Sequence, residues 1–384
     1  MKNRKKIIRI TTVPKTLYNF CRGQIGILSK EYDIIAISSP EEHLNKLGEE
    51  KNIRTIGIPM MRRIAPFKDL NSLFQLIKAF LKEKPDMVHS MTPKAGLLSM
   101  MAAWITRVPI RIHTFTGLVF PTSTGLKRKI LIATDWITCA CATHIIPEGE
   151  GVKRDLQQHG ITQKELKVLG YGNIRGIDLK HYTHTAEIIL QAKNIRKDLG
   201  IEENDFVFIF IGRLVGDKGI NELVGSFEKL NINYPNIHLI LVGQEEPQLD
   251  PLNEVTKEKI HRMLTIHAVG TQNDVRPWYA AADALVFPSY REGFPNVVIE
   301  AGAMNLPSIV TDINGSREII TEGVNGVIIP SKDKEALELA MKRFIQNPHY
   351  VKEMGGKARP IIADRYEQTF VWKCLQNFYK EILK

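Results

Sequence analysis

Residues 206–219 read Phe206-Val207-Phe208-Ile209-Phe210-Ile211-Gly212-Arg213-Leu214-Val215-Gly216-Asp217-Lys218-Gly219. Six consecutive aromatic or β-branched residues end at a glycine, which predicts a short strand buried on both faces. A helix-spaced run, Ile220–Leu230, follows, and then a second β-branched run, Ile237–Val242. Strand, turn, helix and strand in that order form a βαβ unit, and such units imply a parallel sheet.

The same alternation runs outward from this unit in both directions. Downstream come Ile266–Val269, Val275–Ala282, Ala284–Pro288, Asn296–Met304, Ser308–Thr311, Gly326–Pro330 and Lys334–Ile345. Upstream, strands are predicted at Ile7–Val13, Ile34–Ser39, Thr55–Pro59, Met87–Ser90, Ile110–Thr116, His144–Pro147 and Lys167–Gly170. Helical stretches lie between them. Leu70, Leu73, Phe74, Ile77, Phe80 and Leu81 recur at three-four spacing and predict one apolar helix face. The rhythm breaks near Gly170, Gly172 and Gly176, and a polar stretch runs to about Glu187. The chain therefore reads as an α/β protein with two doubly wound domains, 1–175 and 188–360. Residues 361–384 are expected to form a helix packing back on the first domain, with Val371, Leu375, Phe378 and Ile382 on one stripe.

Composition narrows the function classes. The chain has 384 residues, 43% hydrophobic and 24% charged, a globular mix rather than a disordered or fibrous one. No window reaches the roughly 18 uninterrupted apolar residues of a membrane span. The nearest, Ile130–Pro147, is broken by Asp135. Met1–Lys6 is basic, but no small-residue cleavage site follows, so no signal peptide is expected. Four cysteines, Cys21, Cys139, Cys141 and Cys374, are too scattered for a disulfide framework, and a reducing cytosol is the default. Charge is uneven. Residues 1–181 hold 29 Lys and Arg against 15 Asp and Glu, net +14; the remainder holds 23 against 27, net −4. A basic half suggests an anionic partner for that half.

Ligands of doubly wound sheets bind beyond the carboxyl ends of the strands. Two such loops carry chemistry here. In Gly212–Gly219, glycines allow close backbone approach while Arg213 and Lys218 suit a diphosphate. The second loop reads Ser289-Tyr290-Arg291-Glu292-Gly293-Phe294-Pro295-Asn296-Val297-Val298-Ile299-Glu300-Ala301-Gly302-Ala303. Pro295 suits the first turn of a helix. Amides around Gly293, Phe294, Asn296 and Val297 would then make an anion site. Glu292 precedes the helix and Glu300 lies inside it. Eight residues at helical rise span about 12 Å, roughly a nucleotide sugar from hexose to ribose, and each carboxylate can accept bonds from sugar hydroxyls.

The segment Glu292-Gly293-Phe294-Pro295-Asn296-Val297-Val298-Ile299-Glu300-Ala301-Gly302-Ala303 resembles the nucleotide-sugar signature of the retaining glycosyltransferases of family 4, the group 1 glycosyl transferases. Gly212-Arg213 with Lys218 is similar to that family's phosphate loop. Gly243-Gln244, Val269-Gly270 before Asp274-Val275, Tyr279-Ala280-Ala281-Ala282-Asp283, Thr311–Ile320 and Glu322–Gly326 follow its usual order. The likeness covers most of 205–345. Pro85–His89 resembles the family's Pro-Asp-hydrophobic-hydrophobic-His strand, and Gly172-Asn173-Ile174-Arg175-Gly176-Ile177-Asp178, with Arg175 in place of the usual Asn, resembles the subgroup that builds bacterial capsule, lipopolysaccharide and N-glycan precursors.

The resemblance implies a GT-B fold, two Rossmann-like domains facing across a crevice, and transfer of a sugar with retained configuration from a UDP-sugar. It implies no cofactor and no metal, and the chain has no Asp-x-Asp pair to hold one. Arg213, Lys218 and a helix amino terminus would neutralise the leaving group. Many members carry a His just before a Gly after the fifth strand; here Thr116 precedes Gly117, and His113 sits three residues earlier on the strand. Thr116 and Gly117 remain expected donor-site residues, and His113 reads as a packed strand residue. The missing His motivates an alternative, a catalytically weak nucleotide-sugar-binding partner subunit; a UDP-sugar epimerase of similar fold is a third. The basic half would take the acceptor, a glycan or a polyprenyl-diphosphate-linked glycan. Lys127, Arg128 and Lys129 beside apolar residues, with Arg62 and Arg63 nearby in sequence, suit an anionic membrane surface. No nucleic-acid motif is present. The expected location is the cytoplasm, peripheral on the inner face of its membrane.

Overall fold

The computed structural model describes residues 4–384 apart from Arg62, Ile64, Pro247 and Leu249. Arg62 of the basic loop therefore lies outside the described residues. The chain divides into two compact units, 1–175 with 369–384, and 176–368.

The first unit holds β1 (Lys6–Ile10), β2 (Asp33–Ser38), β3 (Arg54–Gly57), β4 (Met87–Met91), β5 (Ile110–Phe115) and β6 (His144–Pro147). They form one parallel sheet ordered β3-β2-β1-β4-β5-β6, the doubly wound order. Successive residues point to opposite faces, so each strand feeds two cores. Ile8, Ile10, Ile35, Ile37 and Val88 enter one, with Leu76, Phe80, Val152 and Leu156 from helices. Ile7, Ile34, Ala36 and Met87 enter the other, closed by Leu375, Phe378 and Tyr379 of the last helix, Gln368–Ile382. The carboxyl-terminal helix thus completes the first unit, as the sequence led us to expect.

The second unit repeats the plan with β7 (Phe206–Ile211), β8 (Ile237–Val242), β9 (Ile266–Gly270), β10 (Ala284–Phe287), β11 (Ser308–Thr311) and β12 (Gly326–Ile329). The order β12-β11-β10-β7-β8-β9 is again parallel and doubly wound. All six residues of β7 are buried. Each unit is thus a Rossmann-like domain, as the sequence led us to expect.

Three expectations need correction. Lys167–Gly170 is not a strand: Leu166 makes a single parallel bridge to Ile145. Gly170 (φ +58°) and Gly172 (φ +88°) then turn the chain before a ladder can extend. The boundary at 361 falls inside a helix, Pro348–Tyr366, whose Ile362 and Tyr366 are buried in the second unit. Gly355, Gly356 and Pro360 made that helix hard to see in sequence. Third, the Pro66–Glu83 helix does not bury one apolar face. Ser72, Leu76 and Phe80 face the core, while Leu70, Phe74 and Leu81 are more than half exposed.

Candidate functional site

The loops after β7, β8 and β10 meet in the second unit. The Gly212 amide donates to the Val242 carbonyl at 2.9 Å and the Leu214 amide to the Gln244 carbonyl at 3.0 Å. Gly243 (φ +143°) lies against this turn so closely that a Cβ would sit 1.8 Å from the Gly212 oxygen. No other residue fits there.

Gly216–Lys218 forms one 3-10 turn, ended by Gly219 in the left-handed region at φ +71°. A Cβ on Gly219 would lie 2.2 Å from the Pro288 carbonyl oxygen, so the turn is pressed onto the loop after β10. That contact is reinforced. The Tyr290 amide donates to the Asp217 carbonyl at 2.9 Å, and the Arg291 guanidinium pairs with the Asp217 carboxylate at 3.0 Å. The Asp217 amide in turn donates to the Asp250 carboxylate.

This packing brings Lys218 to Glu292. The Lys218 ammonium donates to Glu292 Oε1. Their side chains are only 13% and 17% exposed, so the pair is largely shielded from water. Ser289 Oγ donates to the same carboxylate oxygen at 2.8 Å. Thr311 Oγ1 holds the Ser289 carbonyl. The ammonium also stands 5.6 Å from the centre of the Phe287 ring, a cation–π contact. Arg213 is different: its side chain is 44% exposed and pairs with Glu246 at 2.8 Å. Exposed pairs of that kind contribute about 0–1 kcal/mol, so the guanidinium is free to change partners.

The helix after β10 runs Asn296–Ala303. Pro295 is its amino-terminal cap rather than its first helical residue (φ −73°, ψ 106°). Gly293, Phe294 and Pro295 are buried, while Asn296 and Val297 are half-buried. Phe294 packs edge-on against Tyr366, with ring centres 5.5 Å apart. Glu300 is buried, and the Tyr279 hydroxyl lies 3.4 Å from its Oε2 and 3.1 Å from the Val297 carbonyl. The helix start offers amides to an anion, and Lys218 and Arg213 supply fixed positive charge.

Sequence reasoning missed Ser289, Thr311, Asp217, Arg291, Glu246 and Asp250. Ser289 lies two residues beyond β10 and Thr311 ends β11, a placement that could have flagged them. Asp250 and Glu246 lie in a loop with no pattern of their own.

In the first unit, Thr116 and Gly117 follow β5 and are half-buried, with Gly117 at φ +122°. His113 is 1% exposed. Its Nδ1 lies 2.8 Å from Ser90 Oγ, its ring packs edge-on against Phe115, and burial pulls its pKa down to about 3. It is a neutral, packed strand residue. Among the described residues, no group of three His, Cys, Asp or Glu side chains is placed to hold a metal ion.

Comparison with known proteins bears on the family and the fold. The family model described as glycosyl transferases group 1 matches residues 191–360, and that described as glycosyl transferase 4-like domain matches residues 33–172. The chain is 33% identical over 386 aligned residues to the capsular polysaccharide biosynthesis glycosyltransferase CapM of Staphylococcus aureus, covering 100% of this chain and 99% of that one. It is 28% identical to an Escherichia coli UDP-Gal:alpha-D-GlcNAc-diphosphoundecaprenol alpha-1,3-galactosyltransferase, over 82% of this chain and 80% of that one. Among solved structures, Anabaena HepE in complex with UDP superposes with a TM-score of 0.79 at 17% identity, covering 98% of this chain and 100% of that one.

Proposed function

Because the chain belongs to the group 1 glycosyl transferases, we propose that it moves a sugar from a UDP-sugar, with retained anomeric configuration and without a metal ion, onto a lipid-linked glycan of bacterial capsule or related polysaccharide synthesis. The observation that carries this reading is the Lys218–Glu292 pair, held by Ser289 beside a helix start. A diphosphate is a stronger partner for Lys218 than one carboxylate. Its arrival exchanges that partner and releases Glu292 to accept hydroxyl protons of the transferred sugar.

The roles then follow from chemistry. Lys218, Arg213 and the amides before Asn296 take the negative charge that develops on the leaving diphosphate. Glu300, buried deeper along the same helix, accepts from the ribose hydroxyls. Gly212 and Gly243 keep the backbone low enough for phosphates to approach. Among the described residues of the site, no side chain stands out as a nucleophile. The family resemblance implies a front-face route: the acceptor hydroxyl attacks the anomeric carbon on the face the diphosphate leaves, and a diphosphate oxygen takes the hydroxyl proton.

The acceptor class draws support from relatives whose names specify diphosphoundecaprenol-linked sugars, the Escherichia coli enzyme above and a Campylobacter jejuni alpha-1,3-N-acetylgalactosaminyltransferase 24% identical over 96% of both chains. The first unit is the acceptor side in this reading, and no described helix is long and apolar enough to cross a membrane. Calorimetric titration with UDP, GDP and CDP tests the donor class. UDP should bind most tightly without added metal; preference for another nucleotide would overturn the UDP reading.

A further inference from the structure

Arg9 carries a full positive charge inside the first unit. Strand alternation puts it on the same face of β1 as Ile7, the face that the last helix covers, and it is 1% exposed. A guanidinium does not shed its proton in a protein, so the charge stays. Its contacts are to neutral groups. Nη1 donates to Tyr379 Oη at 3.1 Å, while Nη2 lies 3.2 Å from Gln24 Oε1, 3.3 Å from Cys21 Sγ and 3.4 Å from Met91 Sδ. Cys21 ends a turn of π-helical width, Leu17–Cys21, and Gln24 lies on the helix Arg22–Leu28 that follows. Burial pushes the Cys21 thiol up and the Tyr379 phenol to about 12, so neither supplies an anion. No described residue accepts from Nε, and no described carboxylate pairs with the guanidinium.

The neighbouring strands add a second donor. His89 on β4 stands beside Arg9 in register. Its Nδ1 lies 2.5 Å from Tyr379 Oη and its Nε2 2.7 Å from Thr114 Oγ1 on β5. Burial, then the Arg9 charge, hold its pKa well below the usual value, so the ring is neutral. Tyr379 Oη already accepts from Arg9, and the described acceptor in reach of its own proton is His89 Nδ1. This bonding pattern assigns the ring hydrogen to Nε2, which donates to Thr114 Oγ1. The Thr114 hydroxyl hydrogen is then left without an acceptor among the described residues.

Arg9 and Thr114 line one cavity of about 20 Å³, together with Gln24, His89, Met91 and Asn173. That volume takes one particle of about the size of water and excludes phosphate, sulfate or a carboxylate. Two donors face it, Arg9 Nε–H and Thr114 O–H. The side-chain oxygens of Gln24 and Asn173 already accept from Arg9 and from the Arg175 amide. A water would bring two more hydrogens to this donor-rich wall. A monatomic anion takes both donors and compensates the buried charge.

We propose that this cavity binds a halide ion, chloride or bromide, as the counter-ion of Arg9. The ion ties β1 and β5 together beneath the last helix, whose Val371 and Leu375 close the cavity and whose Tyr379 holds Arg9. Halide binding thereby stabilises the docking of that helix on the first sheet.

Melting of the full chain in chloride, bromide and gluconate at one ionic strength tests this. Neither donor nor acceptor is present, so failure of the transfer reading leaves the outcome unaffected. The melting temperature should rise by several degrees in chloride or bromide, saturating with concentration, and should not rise in gluconate, which the cavity cannot admit. Thr114→Val keeps the charge and the shape of the wall and should lose most of that rise. Arg9→Met should lose all of it. Crystals of the parent grown in bromide should show an anomalous peak beside Arg9 Nε and Thr114 Oγ1, a readout that stands even where Arg9→Met fails to fold. Equal melting of the parent in chloride and gluconate, or a full halide response in either folded variant, would overturn the proposal. So would bromide peaks at exposed lysines alone, which would mean adventitious ions only.

Discussion

Lys218 and Glu292, 74 residues apart in sequence, share one hydrogen-bonded ion pair, and Ser289 donates to the same carboxylate oxygen. The pair joins the loop after β7 to the loop after β10. Since both side chains are mostly shielded, removing either leaves the other poorly compensated. Lys218→Ala should therefore cut turnover by about 10²–10³-fold, the usual effect of losing one leaving-group contact. Arg213→Ala should cost at least about tenfold on the same grounds. Steady-state transfer assays of both variants check this. Near-normal turnover by the lysine variant would mean that the loop does not hold the leaving group.

The two carboxylates should separate. Glu300→Gln is expected to weaken binding of free UDP, measured by calorimetry, because its buried carboxylate accepts from the ribose in this account. Glu292→Gln should leave UDP affinity within about twofold and lower kcat for transfer. The reverse pattern would place the donor in the opposite orientation.

Much of this site was legible in sequence, and the reasons are physical. A glycine-bounded run such as Phe206–Ile211 has one solution as a buried strand, and the turn after it is forced by Gly212, Gly219 and Gly243. The Glu292–Ala303 segment is contiguous, so its residues arrive together. The partners of Lys218 and Asp217 were hidden because they depend on the approach of two loops, which no local pattern encodes. The outward Phe67, Leu70 and Phe74 were hidden for a different reason. A helix apolar on two sides has the same three-four spacing as one that buries a single side, and only packing distinguishes them.

Gly219→Ala should be costly. Its Cβ would strike the Pro288 carbonyl, and the left-handed backbone disfavours any side chain. We expect a lower melting temperature together with loss of transfer. An unchanged melting temperature with full activity would show that the two loops do not need their close approach.

Asp135 sets a pH dependence. Burial pushes its carboxyl pKa up to about 7. The unfolded chain loses this proton near pH 4, whereas the folded chain keeps it until about 7. Between those values folding retains the proton, so the penalty for the charged form grows as pH rises and is complete above 7. Asp135→Asn removes it. The variant should melt near the parent at pH 5 and several degrees above it at pH 8, read by calorimetry at both values. A gap that stays constant across that range would contradict the buried carboxyl.

Transfer should persist in EDTA, because fixed cations and a helix start supply the compensating charge in this account. Loss of activity in chelator, restored by magnesium or manganese, would contradict that assignment.

The central claim is retaining transfer from a UDP-sugar by this chain alone. Its most direct test is the anomeric configuration of the first product, followed by proton NMR with the purified protein, a UDP-sugar and a polyprenyl-diphosphate-linked saccharide in chelator. The account predicts a new linkage with the anomeric configuration of the donor, present in the earliest spectra. An inverted linkage, or no product from any UDP-sugar while the protein binds UDP, would contradict it.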